Sequence, residues 1–88
     1  RGDHAHKKCK QLFIPISGKI ALIIKKNGKE KKILLDSKKN IGILIPNLYW
    51  CRLKFLTINA IVMVACNRKY EFHDYIEKYS EFIKTEEK

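Results

Sequence analysis

Hydrophobic and polar positions alternate along most of this chain, and β-branched and aromatic residues carry the alternation, as in half-buried strands. The pattern predicts strands at Asp3–Lys7, Gln11–Ser17, Lys19–Lys26, Lys29–Leu35, Ile41–Ile45, Trp50–Phe55 and Ala60–Cys66. Turn formers separate them. Gly18 divides the second segment from the third, and Asn27-Gly28 has the hairpin signature because both residues tolerate positive φ. Asp36–Asn40 and Pro46-Asn47 read as polar turns. Pro15 lacks the N–H a ladder needs and therefore belongs at an edge or a bulge.

Near the end the period changes. Tyr75, Ile76, Tyr79, Phe82 and Ile83 stand at i, i+1, i+4, i+7 and i+8, one face of a helix. Asp74 is placed to cap that helix, and Glu77 three positions on completes a capping-box pattern. The expected fold class is all-β: a small antiparallel jelly roll or barrel with one C-terminal α-helix, as one domain over residues 1–84 with a polar, frayed tail at 85–88. A jelly roll usually has eight strands, so a chain that starts in a strand leaves an edge that upstream strands or a partner's strands would cover.

Composition adds less. The 88 residues suffice for one domain. Cys9, Cys51 and Cys66 are odd in number and form no CxxC pair, which argues against both a disulfide framework and a structural zinc site and fits a reducing cytoplasm. No apolar run approaches the ~20 residues of a membrane span, so no membrane partner is expected. A formal net charge of +10 draws anionic partners, either nucleic acid or a nucleoside diphosphate, although a Lys-rich solvated face is the favoured reading and the charge is a weak functional signal. A single-stranded nucleic acid module would interleave aromatics with Lys on one sheet face, whereas the aromatics here gather in the last half; no nucleic acid partner is expected.

His4 and His6 are two apart, so on a strand both imidazoles point to one face and would converge inside a barrel mouth. Their spacing resembles the first cupin signature, in which His-x-His precedes an acidic ligand and then a glycine; Gln11 and Gly18 hold those places. In the second signature a proline precedes the third histidine by five residues, and Pro46 at that spacing leads to Cys51. Gln is a poor divalent ligand beside a carboxylate, so no metal is expected, with a His4, His6, Cys51 zinc site left open.

Arg1-Gly2-Asp3-His4-Ala5-His6-Lys7, with Gln11, Gly18, Pro46, Trp50 and Phe55, resembles the dTDP-4-keto-6-deoxyglucose 3,4-ketoisomerases of the WxcM-like group, FdtA- and QdtA-type cupins. Tyr70, Asp74-Tyr75-Ile76, Tyr79 and Phe82 are similar to the family's closing segment. The resemblance implies a cytoplasmic, cofactor-free and metal-independent cupin. Its substrate would be a dTDP-linked 4-keto-6-deoxyhexose, whose ketone moves from carbon 4 to carbon 3 on the way to amino sugars of surface glycans. It also implies a homodimer exchanging early strands, and hence an upstream segment, with a further active-site tyrosine, that this chain lacks.

Imidazole exchanges protons near neutrality, so His6 is assigned as general base and His4 as proton shuttle or donor to the enediolate oxygen. Arg1 is assigned to the pyrophosphate, with Lys7 as an added charge. Gln11 is assigned to a sugar hydroxyl or to holding a histidine tautomer. Trp50, with Tyr49, is assigned to the sugar or base, core packing being the other reading for Trp50 and Phe55. Cys9 and Cys66 read as inert thiols. Two positions depart from the family: Glu77 stands where a basic residue is usual, and Cys51 where a histidine often follows the tryptophan. The alternative is a non-catalytic cupin that binds a sugar nucleotide or small anion.

Overall fold

A computed structural model of the chain describes residues 3–69 and 71–86. Arg1, Gly2 and Tyr70, quoted above, lie outside them. The strands among the described residues are β1 (Ala5–His6), β2 (Gln11–Ser17), β3 (Lys19–Lys26), β4 (Lys29–Asp36), β5 (Ile43–Ile45), β6 (Trp50–Phe55), β7 (Ile61–Cys66) and β8 (Tyr75–Ile76), followed by helix α1 (Tyr79–Glu86). All strand pairs are antiparallel. One sheet runs β4-β3-β6, a second β5-β2-β7, and β1 pairs with β8. A bridge between His4 and Cys51, bonded both ways at 3.2 and 2.8 Å, ties β1 to β6.

The core lies between the sheets. Phe13 and Ile45 from the second sheet pack on Ile20, Leu22, Leu35 and Cys51 from the first, all buried. Gln11, Phe13 and Pro15 alternate inward along β2 while Leu12, Ile14 and Ile16 point the other way. Pro15 sits as its chemistry requires. β5 covers only Gln11–Phe13, so beyond that β2 has one neighbour, and the register against β7 shifts between Pro15 and Ser17. The Asn27-Gly28 hairpin also forms, with φ of 52° and 74°.

The C-terminal segment differs from the sequence expectation. Tyr75 and Ile76 are not helical; they form β8, opposite His6 and Ala5. Adjacent residues of a strand face opposite ways, and here Ile76 turns to α1 while Tyr75 turns to the histidines. The helix begins only at Tyr79. Asp74 therefore caps nothing: it closes a 3-10 turn (Phe72–Asp74) and its carboxylate points inward. The helix also reaches past Thr85, whose hydroxyl donates to the Phe82 carbonyl at 2.7 Å, and Glu86 accepts from the Asn27 backbone N–H. Only 87–88 of the expected tail lie outside the described residues.

A second small core docks α1. Ala5, Ile76 and Phe82 are buried together, with Trp50, Leu48 and Tyr79 packed around them. No helix among the described residues is long and apolar enough to cross a membrane.

The turn between β2 and β3 shows how narrow some positions are. Gly18 has φ of +72°, and a Cβ there would lie 2.1 Å from Thr57 Oγ1 and 3.0 Å from Ala60 Cα. Gly18→Ala therefore meets left-handed backbone strain, a clash with the Thr57 hydroxyl and a tight approach to the Ala60 backbone. We expect it to destabilise the fold by about 1–3 kcal/mol in chemical denaturation, whereas Gly28→Ala, in open space, costs only the strain.

Candidate active site

β1 is 2 residues long, and everything around it serves to hold it. Besides the bridge to Cys51, the Lys7 N–H donates to the Asp74 carbonyl at 2.8 Å and the Leu48 N–H donates to the His6 carbonyl at 2.8 Å. The strand alternation then sends Ala5 to the helix and His4 and His6 to the other face. A small residue between the histidines is what lets Phe82 pack close behind them.

The two imidazoles meet edge to face, with ring centroids 5.0 Å apart. The Tyr75 ring lies 4.3 Å from His6 and 5.5 Å from His4. His6 is buried and its Nδ1 is 2.8 Å from Asp74 Oδ2. Asp74, also buried, further accepts the Lys8 N–H on Oδ1 at 2.7 Å and the Cys9 N–H on Oδ2 at 3.3 Å. Burial by itself would raise the Asp74 carboxyl, but the His6 bond and the two backbone N–H donors outweigh it, so the group is held below its ordinary range. Asp74 is thus an ionised acceptor, which requires the proton of neutral His6 to sit on Nδ1. The lone pair is left on Nε2, which is buried and makes no hydrogen bond among the described residues.

Gln11 is buried and inward on β2, its amide Nε2 directed at Cys66 Sγ at 4.0 Å. Cys51 is buried beside His4; burial pushes its thiol up to about 12, and Sγ donates to the Tyr49 carbonyl at 3.6 Å. The cupin metal positions thus hold an amide and a protonated thiol already engaged with the protein, a donor set that does not suit a divalent metal. The donors that converge are instead His6, Cys9 and Asp74, with ligand atoms within 4.8 Å of one another. They border, with Cys66 and Tyr75, a cavity of about 90 Å³.

Of the residues singled out in the sequence, the structure brings His4, His6 and, across the barrel wall, Cys51 together. Lys7 is exposed and faces away from His6, into a separate groove of about 320 Å³ that it lines with Tyr75 and Glu77. Trp50 is not brought to the histidines. Its neighbour Cys51 takes the inward face, and Trp50 packs on Tyr79 and Phe82 at 5.3 and 5.7 Å, on the helix side of the strand. Sequence reading missed Asp74 and Tyr75 as site residues. The overlooked sign is the adjacent pair Tyr75-Ile76: neighbours buried on opposite faces belong to a strand.

Two antiparallel sheets closed over inward-facing histidines make the architecture a cupin jelly roll, and solved structures agree. A mutant of the 3,4-ketoisomerase QdtA from Thermoanaerobacterium thermosaccharolyticum, in complex with TDP-4-keto-6-deoxyglucose, superimposes with a TM-score of 0.92 at 29% identity, over 99% of this chain and 62% of that one. A 3,4-ketoisomerase from Helicobacter canadensis gives 0.93 at 28% identity, over 100% of this chain and 65% of that one. The chain belongs to the WxcM-like, C-terminal family (FdtA), whose model matches residues 1–87. A curated relative, the TDP-4-oxo-6-deoxy-alpha-D-glucose-3,4-oxoisomerase of Aneurinibacillus thermoaerophilus, is 30% identical over 84 residues, 96% of this chain and 60% of that protein. The chain thus spans about three fifths of the length of this relative.

Because the folded value of Asp74 lies below the ordinary 3.8, its contribution to stability is complete at neutral pH and is lost as pH falls below that value through the folded one. Asp74→Asn removes the ionised acceptor. We expect the variant to be less stable than wild type by about 1–3 kcal/mol near neutrality, with the gap constant down to about pH 5 and closing below it. Urea unfolding at several pH values measures this; a gap that widens on acidification would contradict it.

Proposed function

We propose that this protein is a sugar-nucleotide 3,4-ketoisomerase that moves the ketone of dTDP-4-keto-6-deoxyglucose from carbon 4 to carbon 3. The observation that carries the reading is the His6 Nδ1–Asp74 bond of 2.8 Å, which leaves Nε2 as a buried proton acceptor. The names of the matched relatives supply the substrate class.

The reaction needs one carbon-bound proton moved and two oxygens rebalanced. His6 Nε2 takes the proton from carbon 3, the electron pair forms the carbon 3–carbon 4 double bond, and the carbon-4 oxygen receives a proton from His4. The resulting enediol returns the proton of its carbon-3 oxygen to His4 while His6 Nε2 delivers its proton to carbon 4, which completes the 3-keto isomer and restores both histidines. Asp74 is a positioning residue: it fixes the His6 tautomer and stabilises the imidazolium that forms. Tyr75 packs over both rings and limits water there. Gln11, buried on the same inner side, hydrogen-bonds a sugar hydroxyl. Arg1 and Lys7 serve the pyrophosphate, for which a guanidinium fork is well matched. An aminotransferase would consume the 3-keto product.

The protein functions as a homodimer in this reading. Support comes from the outward face of the second sheet, where Ile16, Leu44, Ile61 and Met63 are each about half exposed, an apolar patch of the kind that self-association covers.

Proton NMR of the substrate in deuterium oxide tests the activity: carbon-3 proton loss with appearance of the 3-keto isomer is expected. His6→Asn and Asp74→Asn should each lower kcat by a factor on the order of 10²–10⁴ while dTDP affinity changes little. A folded protein that binds dTDP but exchanges no carbon-3 proton would sink the enzyme and leave a binding cupin.

A further inference from the structure

The proposed mechanism accounts for Asp74 on the Nδ1 side of the His6 ring and leaves the two cysteines beside it unexplained. Around Nδ1, three separate segments bring metal-binding side chains together, His6 from β1, Cys9 from the β1–β2 connection and Asp74 from the 3-10 turn, and Cys66 at the end of β7 lines the same cavity. His6, Cys9 and Asp74 are all more than nine-tenths buried, and their ligand atoms lie within 4.8 Å of one another. Cys66 lines the same cavity as Cys9. Neither thiol has a role in the proton transfer described above.

From this convergence we infer that His6 Nδ1, Cys9 Sγ, Cys66 Sγ and an Asp74 oxygen form a site for a thiophilic divalent cation of the zinc type. Two thiolates, an imidazole and a carboxylate are ligand types that zinc accepts in tetrahedral geometry. Donors around such an ion lie about 3.5 Å apart, so the His6 Nδ1–Asp74 Oδ2 pair, at 2.8 Å, must open while Cys9 closes on it by up to roughly 1 Å. The site has a different donor set from the cupin metal position, which holds Gln11 and Cys51, and the two adjoin where the Gln11 amide meets Cys66 Sγ at 4.0 Å.

Occupancy has a defined proton count. Cys9 and Cys66 each release one proton to solvent, and the ring proton of His6 passes from Nδ1 to Nε2 as Nδ1 ligates the metal. Nε2 then carries a proton where the isomerase requires a lone pair. The bound cation is therefore inhibitory, a consequence that rests on the proposed function, whereas the binding site does not.

Cobalt(II) is the spectroscopic probe and zinc the competitor. The purified, reduced protein should take up one equivalent of cobalt with thiolate-to-metal charge-transfer bands and tetrahedral ligand-field absorption, both bleached by zinc. Cys66→Ala, at an exposed position that leaves the core intact, and Cys9→Ser should each weaken binding by at least the roughly 10–100-fold that loss of a supporting residue costs a metal site. Uptake without charge-transfer bands, or unchanged affinity in both variants, overturns the site. In the isomerase assay, zinc should inhibit wild type and spare Cys66→Ala at the same concentration. Equal inhibition of both overturns the regulatory step. If neither protein isomerises the sugar while cobalt still binds through the thiolates, the function reading fails and the metal site stands.

Discussion

The pairing of Ala5–His6 with Tyr75–Ile76 is the constraint on which the rest of the molecule depends. It is the smallest ladder in the fold, and it does two things at once. On one face it gathers His4, His6 and Tyr75 over the barrel interior; on the other it presents Ala5 and Ile76 to Phe82. Such a short pair would not persist alone in water. It persists because β6 braces it through Cys51, α1 covers its back, and the Asp74 carboxylate gathers a ring N–H and two backbone N–H groups into one buried knot. Buried polar groups are costly unless satisfied, so the knot and the packing require each other.

The same two-sidedness separates chemistry from support. Residues next to each other in sequence, Ala5 and His6, Trp50 and Cys51, Tyr75 and Ile76, go to opposite faces, one toward the site and one toward the helix. Trp50, Tyr79 and Phe82 form an aromatic buttress, with rings 5.3 to 5.9 Å apart, behind the histidines. Their contribution to function is to fix the strand that carries the imidazoles, which is why a large aromatic here acts without contact with the inner face.

Much of the fold was legible in the sequence because period, turn chemistry and hairpin signals act locally. β2, β3 and β6 appear at the predicted residues, and Pro15 sits at a register shift. β1 and β5 came out shorter. The cause at β1 is non-local: after His6 the chain turns so that the Lys8 and Cys9 N–H groups point at Asp74, 66 and 65 residues away. Asp74 itself was misread for a related reason. An acidic residue ahead of an apolar run has the same local appearance whether it caps a helix or enters a core, and only the tertiary partner decides. His4 and His6 were identifiable from their spacing and flanking residues, whereas the nearness of Cys9 and Cys66 depends on strand register, which a single sequence states weakly.

His6 and Asp74 are 68 positions apart, yet they touch. A contact of such long range carries a large loop-closure cost and belongs to the slow, late part of folding. The histidines acquire their carboxylate only once the strands between them have assembled. Until then imidazole and thiol side chains stay solvated and no base of fixed tautomer exists. The fixed tautomer of His6 is thus a property of the assembled fold and not of the strand that carries it.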